Sequence, residues 1–361
     1  MIIKNENSAA NVPFLWLPVF FYDESAIVSQ ITITVELILY IICLYIVAVS
    51  LKIFVQVRMF HLNFIILAAP LFGIWCELIT GKLIAMVYQL ELISAGFEVR
   101  QFYVLWTDDP HKMLTVESYD GLELLIIAGF MEYHYMFSAV FGAVAISIER
   151  LVASVLIDSY ESTEKIFIPI LLTIFFQLLA ILLSCLALMH KFSLVAIHAT
   201  WIVSCLFSSI IFLLVERINE KWRAQMENKR RSRVFTISQR YQVKENIRAL
   251  TLGKRLIFSE IGTIFIIGLV IAALLLELVP PSLCHIAENA LYLNPLAICT
   301  AAMFSVPAWK RRYKKMFPNC VICRIKQSRV DVFSMEPMEE FNKRISIETD
   351  IHFTQLNAIW T

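Results

Sequence analysis

Charge is scarce in this sequence. Asp, Glu, Lys and Arg make up 17% of its 361 residues, where an ordinary soluble domain carries about a quarter. A water-solvated globule of this length would lack the charge to cover its surface, so that class is excluded. The marks of soluble catalysis are missing too. There is no Walker A pattern, no His-Glu-x-x-His, no Gly-x-Ser-x-Gly and no Gly-x-Gly-x-x-Gly. Metal ligands do not cluster along the chain, so no metal, no cofactor, no nucleic acid and no enzymatic activity are expected. The stretch Met1 to Gln30 lacks the form of a signal peptide: it has one Lys, and Pro13 and Pro18 break its apolar part. The eight cysteines are Cys43, Cys76, Cys185, Cys205, Cys284, Cys299, Cys320 and Cys323, and most lie in apolar runs where a thiol behaves as a small hydrophobe. No disulfide framework is legible. No Asn-x-Ser/Thr sequon falls on the expected outer side, and no internal repeat is visible.

What is abundant is apolar: 59% of residues, with a mean hydropathy of +0.70. Such a composition wants lipid as solvent. A hydrocarbon core of ~30 Å needs roughly 20 apolar residues in a helix. Seven stretches meet that length, at 31–54, 62–88, 121–148, 166–189, 192–215, 257–279 and 284–306. They are continuous runs, not alternating ones, which disfavours a β-barrel. The expectation is an all-α fold: an extracellular N-terminus (1–30), a seven-helix transmembrane bundle (31–306), and a cytoplasmic amphipathic helix with a tail (307–361). Placing the N-terminus outside leaves 26 of the 31 Lys and Arg on the cytoplasmic side, which the positive-inside rule favours. Residues 216–255 dominate that bias, with twelve bases against four acids. The outer loop 89–120 is acidic.

Several residues inside these spans could carry a mechanism. Arg150, after Glu149 at the inner end of the third span, either anchors at the headgroups or pairs with a carboxylate on a facing helix. Glu260 in the sixth span is the expected partner. Asn294-Pro295 in the seventh span reads as a bend, because proline deletes a backbone hydrogen bond and crowds the preceding turn. A plain kink and a hinge are both open. Glu132, His134, His198, Trp201, Glu277, His285 and Glu288 map to one depth near the outer side. They are either structural pairs or the lining of a ligand pocket. Glu77 and Lys82 in the second span either pair with helices one or three, or join Glu36, Glu132 and Glu260 along the polar path of a transporter or channel. Against that alternative stand an odd span count and no inverted repeat.

The cytoplasmic side carries further signals. Trp309, Tyr313, Met316 and Phe317 fall at helical spacing with five bases between them, the pattern of an interfacial amphipathic helix. Cys320 and Cys323 follow and are candidate lipidation sites; as half a zinc site they lack a second pair. Residues 216–255 are too long for a minimal hairpin. They either extend helices five and six toward an acidic partner or rest on anionic lipid.

Short motifs bring these signals together. Phe60-His61-Leu62-Asn63 enters the second span, Ile148-Glu149-Arg150-Leu151-Val152-Ala153 closes the third, and Asp158-Ser159-Tyr160-Glu161 follows. Leu293-Asn294-Pro295-Leu296 sits in the seventh. In this order the sequence resembles the nematode serpentine receptors of class epsilon, over roughly residues 27–326. It departs from the main rhodopsin-like pattern: Leu151 stands where Tyr would follow Arg150, and no cysteines are placed for the usual outer disulfide. The resemblance implies a chemosensory receptor at the plasma membrane of a sensory cilium, detecting a small-molecule or peptide ligand and activating a heterotrimeric G protein. It further implies that Arg150 is the switch residue facing the G protein and Asn294-Pro295 the hinge; Glu149 and Glu260 are the carboxylates expected to serve that switch. No pocket residue is carried over by it.

Overall fold

The computed structural model describes residues 1–6, 14–21, 23, 25–57, 59–60, 62–101, 103–104, 106–157, 166–227, 236–276, 278 and 284–316. Six long helices dominate: α1 (Ala26–Gln56), α2 (Leu62–Gln89), α3 (Glu123–Val155), α4 (Phe167–Leu188), α5 (Leu194–Glu227) and α6 (Ile237–Leu275). All six are long and apolar enough to cross a bilayer. In α1, Ile33, Glu36, Tyr40, Cys43 and Val47 recur at three- and four-residue spacing and form the buried stripe. Its opposite face, with Ile31, Val35, Ile38 and Ile42, stays apolar although exposed. Such a surface suits lipid on one side and protein on the other. α3 is the central helix and packs on α2, α4, α5 and α6.

The seventh span is broken. Helix α7 (Cys284–Tyr292) stops at Leu293, and α8 (Asn294–Ser305) restarts with Pro295 in its first turn. Proline is tolerated there because its missing N–H would have had no helical acceptor. Helix α9 (Pro307–Met316) then turns away by 120°. Counting that bent segment as one span brings the total to seven. Trp309 and Tyr313 are the buried face of α9. The Trp309 indole donates to the Val57 carbonyl at 3.1 Å and sits 5.5 Å from the Phe54 ring and 5.4 Å from Phe60. Phe317 and the rest of the tail lie outside the described residues.

Two further features shape this layout. Within the basic stretch 216–255, residues 216–227 and 237–255 are helical, the expected extension of helices five and six past their apolar portions. α6 opens in a capping box: the Gln239 amide donates to the Thr236 hydroxyl at 3.2 Å, and the Thr236 amide donates to the Gln239 side-chain oxygen at 3.0 Å. That exchange satisfies two donors a helix start would otherwise leave open. The second feature adds to this mostly helical fold. Strands β1 (Ile2–Asn5), β2 (Phe14–Trp16) and β3 (Leu114–Val116) form a small sheet in the order β2-β1-β3. Ile3 pairs with Leu15 antiparallel and with Leu114 in parallel. Strands this short are invisible to a ruler set for membrane helices, and the parallel pairing joins segments far apart in sequence.

The sheet belongs to an aromatic lid over one end of the bundle, called the mouth below. Met1, Ile2, Ile3, Leu15, Trp16 and Leu17 are all buried. Trp16 lies 4.9 Å from Trp106 of the 89–120 loop and 5.5 Å from Tyr133 of α3. Close approach is possible because α3 has a glycine beneath Leu17: a Cβ on Gly129 would lie 2.8 Å from Leu17 Cδ2. Residues 1–6 and 14–21 are thus part of the packed mouth, covered together with Trp106 and strand β3 of the 89–120 loop.

Candidate functional site

Two buried polar networks and a connecting break organise the bundle. The first lies at the end opposite the mouth, the basic end. Glu149 and Arg150 are adjacent on the inward face of α3, and both are buried. Arg150 donates from Nε and Nη2 to the two Glu149 oxygens at 2.5 and 2.6 Å. From Nη1 it donates to Glu245 Oε1 and Asn246 Oδ1 of α6, each at 3.1 Å. Its guanidinium also lies 5.4 Å from the Phe64 ring of α2. A second layer adds α5 to α3 and α6. The Asn219 amide of α5 and the Asn246 amide both donate to Ser154 Oγ, at 2.8 and 3.1 Å. Gln242 donates to the Ala153 carbonyl at 2.8 Å and Trp222 to the Ser154 carbonyl at 3.2 Å. Lys254 of α6 reaches Glu216 of α5 at 2.5 Å. Charge-assisted bonds of this kind are about twice as strong as neutral ones, and here they hold α3, α5 and α6 together.

The expected Arg150–Glu260 pair is not formed, and Glu245 takes its place. Glu260 lies fifteen positions further along α6, or about 22 Å at 1.5 Å per residue, beyond the reach of an arginine. It belongs to the break in the seventh span instead. Asn294 Nδ2 donates to Glu260 Oε2 at 3.0 Å and approaches the Tyr135 hydroxyl of α3 at 3.4 Å. Thr263 of α6 donates to Asn294 Oδ1 at 3.1 Å. Asn294, beside Pro295, therefore joins α3, α6 and α8 at the point where the seventh span is interrupted.

The second network lies beneath the mouth. Lys82 of α2 is buried with Glu36 of α1 and Glu288 of α7. Its ammonium donates to Glu288 Oε1 at 2.5 Å, lies 3.5 Å from Glu36 Oε2 and sits 5.4 Å from the Tyr292 ring. Asn289 donates to Glu36 Oε1 at 2.8 Å and accepts from the Tyr40 hydroxyl at 2.8 Å. His285 Nδ1 lies 3.5 Å from the same Glu36 oxygen. Ligating atoms of Glu36, His285 and Glu288 fall within 4.8 Å of one another. Glu132 of α3 is also buried and lies beside the Tyr292 hydroxyl, but neither of its oxygens sits in good hydrogen-bond geometry. An ionisable group inside a membrane is costly unless it meets a partner or a cavity, and five such groups, Glu36, Lys82, Glu132, His285 and Glu288, meet here.

Of the residues expected to share this depth, Glu132, His285 and Glu288 do come together. His134 does not join them. Its Nδ1 donates to Glu77 of α2 at 2.9 Å, and Nε2 lies 3.1 Å from both Gln177 of α4 and Ser138. His198 donates to the Leu194 carbonyl of its own helix at 2.9 Å and packs on Trp201 at 5.7 Å. Glu277, Cys320 and Cys323 lie outside the described residues. Lys82, expected to pair with helix one or three, meets Glu36 of α1, whereas Glu245 and Asn246 carry the other network without having been anticipated. A lone Lys inside an apolar run was the available signal for Lys82. Nothing along the chain links Glu36 to His285 and Glu288, which stand some 250 positions away and converge only when α1 packs beside α7.

Comparison with known proteins agrees with these features. The family model described as "Sre G protein-coupled chemoreceptor" matches residues 1–361. "Serpentine receptor class epsilon-27" of Caenorhabditis elegans is 71% identical over 364 residues, covering 100% of both chains. "Serpentine receptor class epsilon-29" of the same organism is 42% identical over 346 residues, covering 96% of this chain and 97% of that one. A more distant relative there, "Serpentine receptor class epsilon-38", is 28% identical over 355 residues, 96% of this chain and 97% of its own. On this full-length similarity the chain belongs to the Sre G protein-coupled chemoreceptor family, one of multi-pass membrane receptors and not of enzymes.

Proposed function

We propose that this receptor detects an extracellular small molecule or peptide at the mouth and activates a heterotrimeric G protein at the basic end. In this reading the N-terminus faces outside, and the protein works in the plasma membrane of a chemosensory cilium. The observation that carries it is the buried Arg150, shared between Glu149 and the α6 residues Glu245 and Asn246. That network keeps the basic ends of α3, α5 and α6 closed, which is the resting state. Ligand binding shifts the balance only through a higher affinity for the open arrangement. Asn294 and Pro295 form the hinge between the two ends, since Asn294 touches Glu260 and approaches Tyr135. As α5 and α6 part and α6 leaves α3, Glu245 and Asn246 release Arg150 to meet the G protein. Cys320 and Cys323, just after α9, are the lipid attachment points that hold the basic end at the bilayer.

The transporter alternative asks Glu36, Glu77, Lys82, Glu132 and Glu260 to line one path. Glu77 pairs with His134, Glu260 with Asn294, and Glu36 with Lys82. These are separate networks, which does not favour a continuous polar route.

A ligand-panel screen tests the proposal, with second-messenger output measured in cells expressing the full chain. Arg150→Ala is expected to abolish the response while surface expression and ligand binding persist. An undiminished response from Arg150→Ala removes the switch from the mechanism.

A further inference from the structure

The cluster beneath the mouth holds more acid than base. Three buried carboxylates, Glu36, Glu132 and Glu288, come from α1, α3 and α7, and one buried ammonium, Lys82, serves them. Lys82 does not serve them equally. It stands at 2.5 Å from Glu288 and at 3.5 Å from Glu36, so the Glu36 contact is the looser of the two. Glu132, whose oxygens are closed off from solvent and lack a well-aligned donor, is one more acceptor within the field of Lys82. Glu36, His285 and Glu288 are spaced to share one small cation.

A cleft leads to this cluster. Phe21, Ile33 and Val99 form its apolar wall, Thr32 adds a hydroxyl, and Glu36 and His285 lie along it. Its volume of about 20 Å³ is room for a group the size of one water, which is also the size of an ammonium head. Arg100 stands at the same cleft, with its charge met by Glu91 at 2.8 Å.

Building on the receptor reading above, we propose that the mouth recognises a ligand with a primary ammonium group and a short apolar body. Its ammonium takes the place of Lys82 on Glu36, and Lys82 turns to Glu288 and Glu132. The cleft takes the ammonium head, and the apolar body stays at its outer rim against Val99. The exchange has a route to the hinge. Asn289, which donates to Glu36 and accepts from Tyr40, lies in the helical turn before the break at Leu293. Redirecting Glu36 toward a ligand loosens α1 from α7 at that turn.

The test uses the purified full chain in lipid nanodiscs and reads its thermal unfolding midpoint. The probes are n-butylammonium and 2-phenylethylammonium, each matched with the alcohol of the same skeleton. Both amines are expected to raise the midpoint in a saturable way, as a ligand of the folded state must, and the alcohols to leave it unchanged. Glu36→Gln should weaken the amine effect at least tenfold. Lys82→Met should strengthen it, because the internal competitor is gone, an outcome that a purely structural lysine would not produce. If Lys82→Met fails to fold, Glu132→Gln takes its role: with its second acceptor neutralised, Lys82 stays on Glu36 and amine binding weakens. Equal shifts by amines and alcohols overturn the proposal, as does no shift with either amine or an unchanged shift in Glu36→Gln. A Glu36-dependent shift from zinc or calcium alone would make this a metal site and overturn it too. The readout needs no G protein, so amine binding without any second-messenger response would sink the receptor reading and leave this one standing.

Discussion

Replacing Glu245 with glutamine removes one negative charge from the Arg150 network while keeping shape and an acceptor. At 3.1 Å and an effective dielectric of about 20, the lost attraction is at most about 5 kcal/mol. The net effect is smaller, because Glu149 and Asn246 still hold the guanidinium and the new amide oxygen still accepts. About 1–3 kcal/mol is the reasonable range for weakening a charged hydrogen bond to a neutral one. Charged to the closed state alone, that changes the closed-to-open ratio by roughly 5- to 150-fold. A receptor resting at about 1% active would then rise to between about 5% and 60%. The assay is ligand-independent second-messenger output at matched surface expression, with Arg150→Ala as the silent control. Glu260→Gln should not reproduce the effect through Arg150, since that carboxylate is bonded by Asn294. Basal output from Glu245→Gln equal to the parent would refute the idea that this contact holds the basic end shut.

Other consequences follow from the same geometry. Asn294→Leu cuts the ties to Glu260, Tyr135 and Thr263; it should lower ligand-driven output several-fold with binding unchanged, read as a split between efficacy and affinity. Trp309→Ala removes a buried indole wedged against Phe54 and Phe60. It should destabilise the chain by about 3–5 kcal/mol, seen as a lower unfolding midpoint in nanodiscs; an unchanged midpoint would show that α9 is not anchored this way. His190, in the turn between α4 and α5, packs on Trp106 at 4.5 Å. Burial lowers its imidazole from the ordinary value of 6.5, with Asp108 opposing and Lys191 adding to the shift. A base with a depressed folded pKa contributes stability above its ordinary pKa and loses it as pH falls below that value. Protection factors in residues 1–6 and 114–116, corrected for the base-catalysed intrinsic rate, should therefore fall as pH drops below about 6.5, and His190→Phe should abolish that dependence.

That the chain is a bundle of apolar membrane-length helices, six to seven spans, was legible in the linear sequence, whereas the extension of α5 and α6 beyond their apolar runs was not measured by it. An apolar run of the right length has one stable solution in lipid, a helix whose backbone bonds are satisfied within itself. Asn294-Pro295 was legible as a break for the same local reason: proline cannot continue the bond ladder. The amphipathic spacing of Trp309 and Tyr313 likewise needed only the helical period. Partner choice was another matter. Arg150 called for a carboxylate on a facing helix, but α6 carries Glu245 and Glu260 on different turns. Which one arrives depends on how far α6 slides along α3, and no local rule sets that register. Lys82 had candidates on neighbouring helices, and only the packing of α1 and α7 beside α2 selected Glu36 and Glu288. The sheet at the mouth is the extreme case. Ile3 meets Leu114 because two distant segments are brought together over the same opening, where Gly129 leaves room for the chain to descend. Sequence alone determined what each segment had to be in a bilayer; the tertiary structure decided which charges met, because pairing across a bundle is set by the sum of all its contacts.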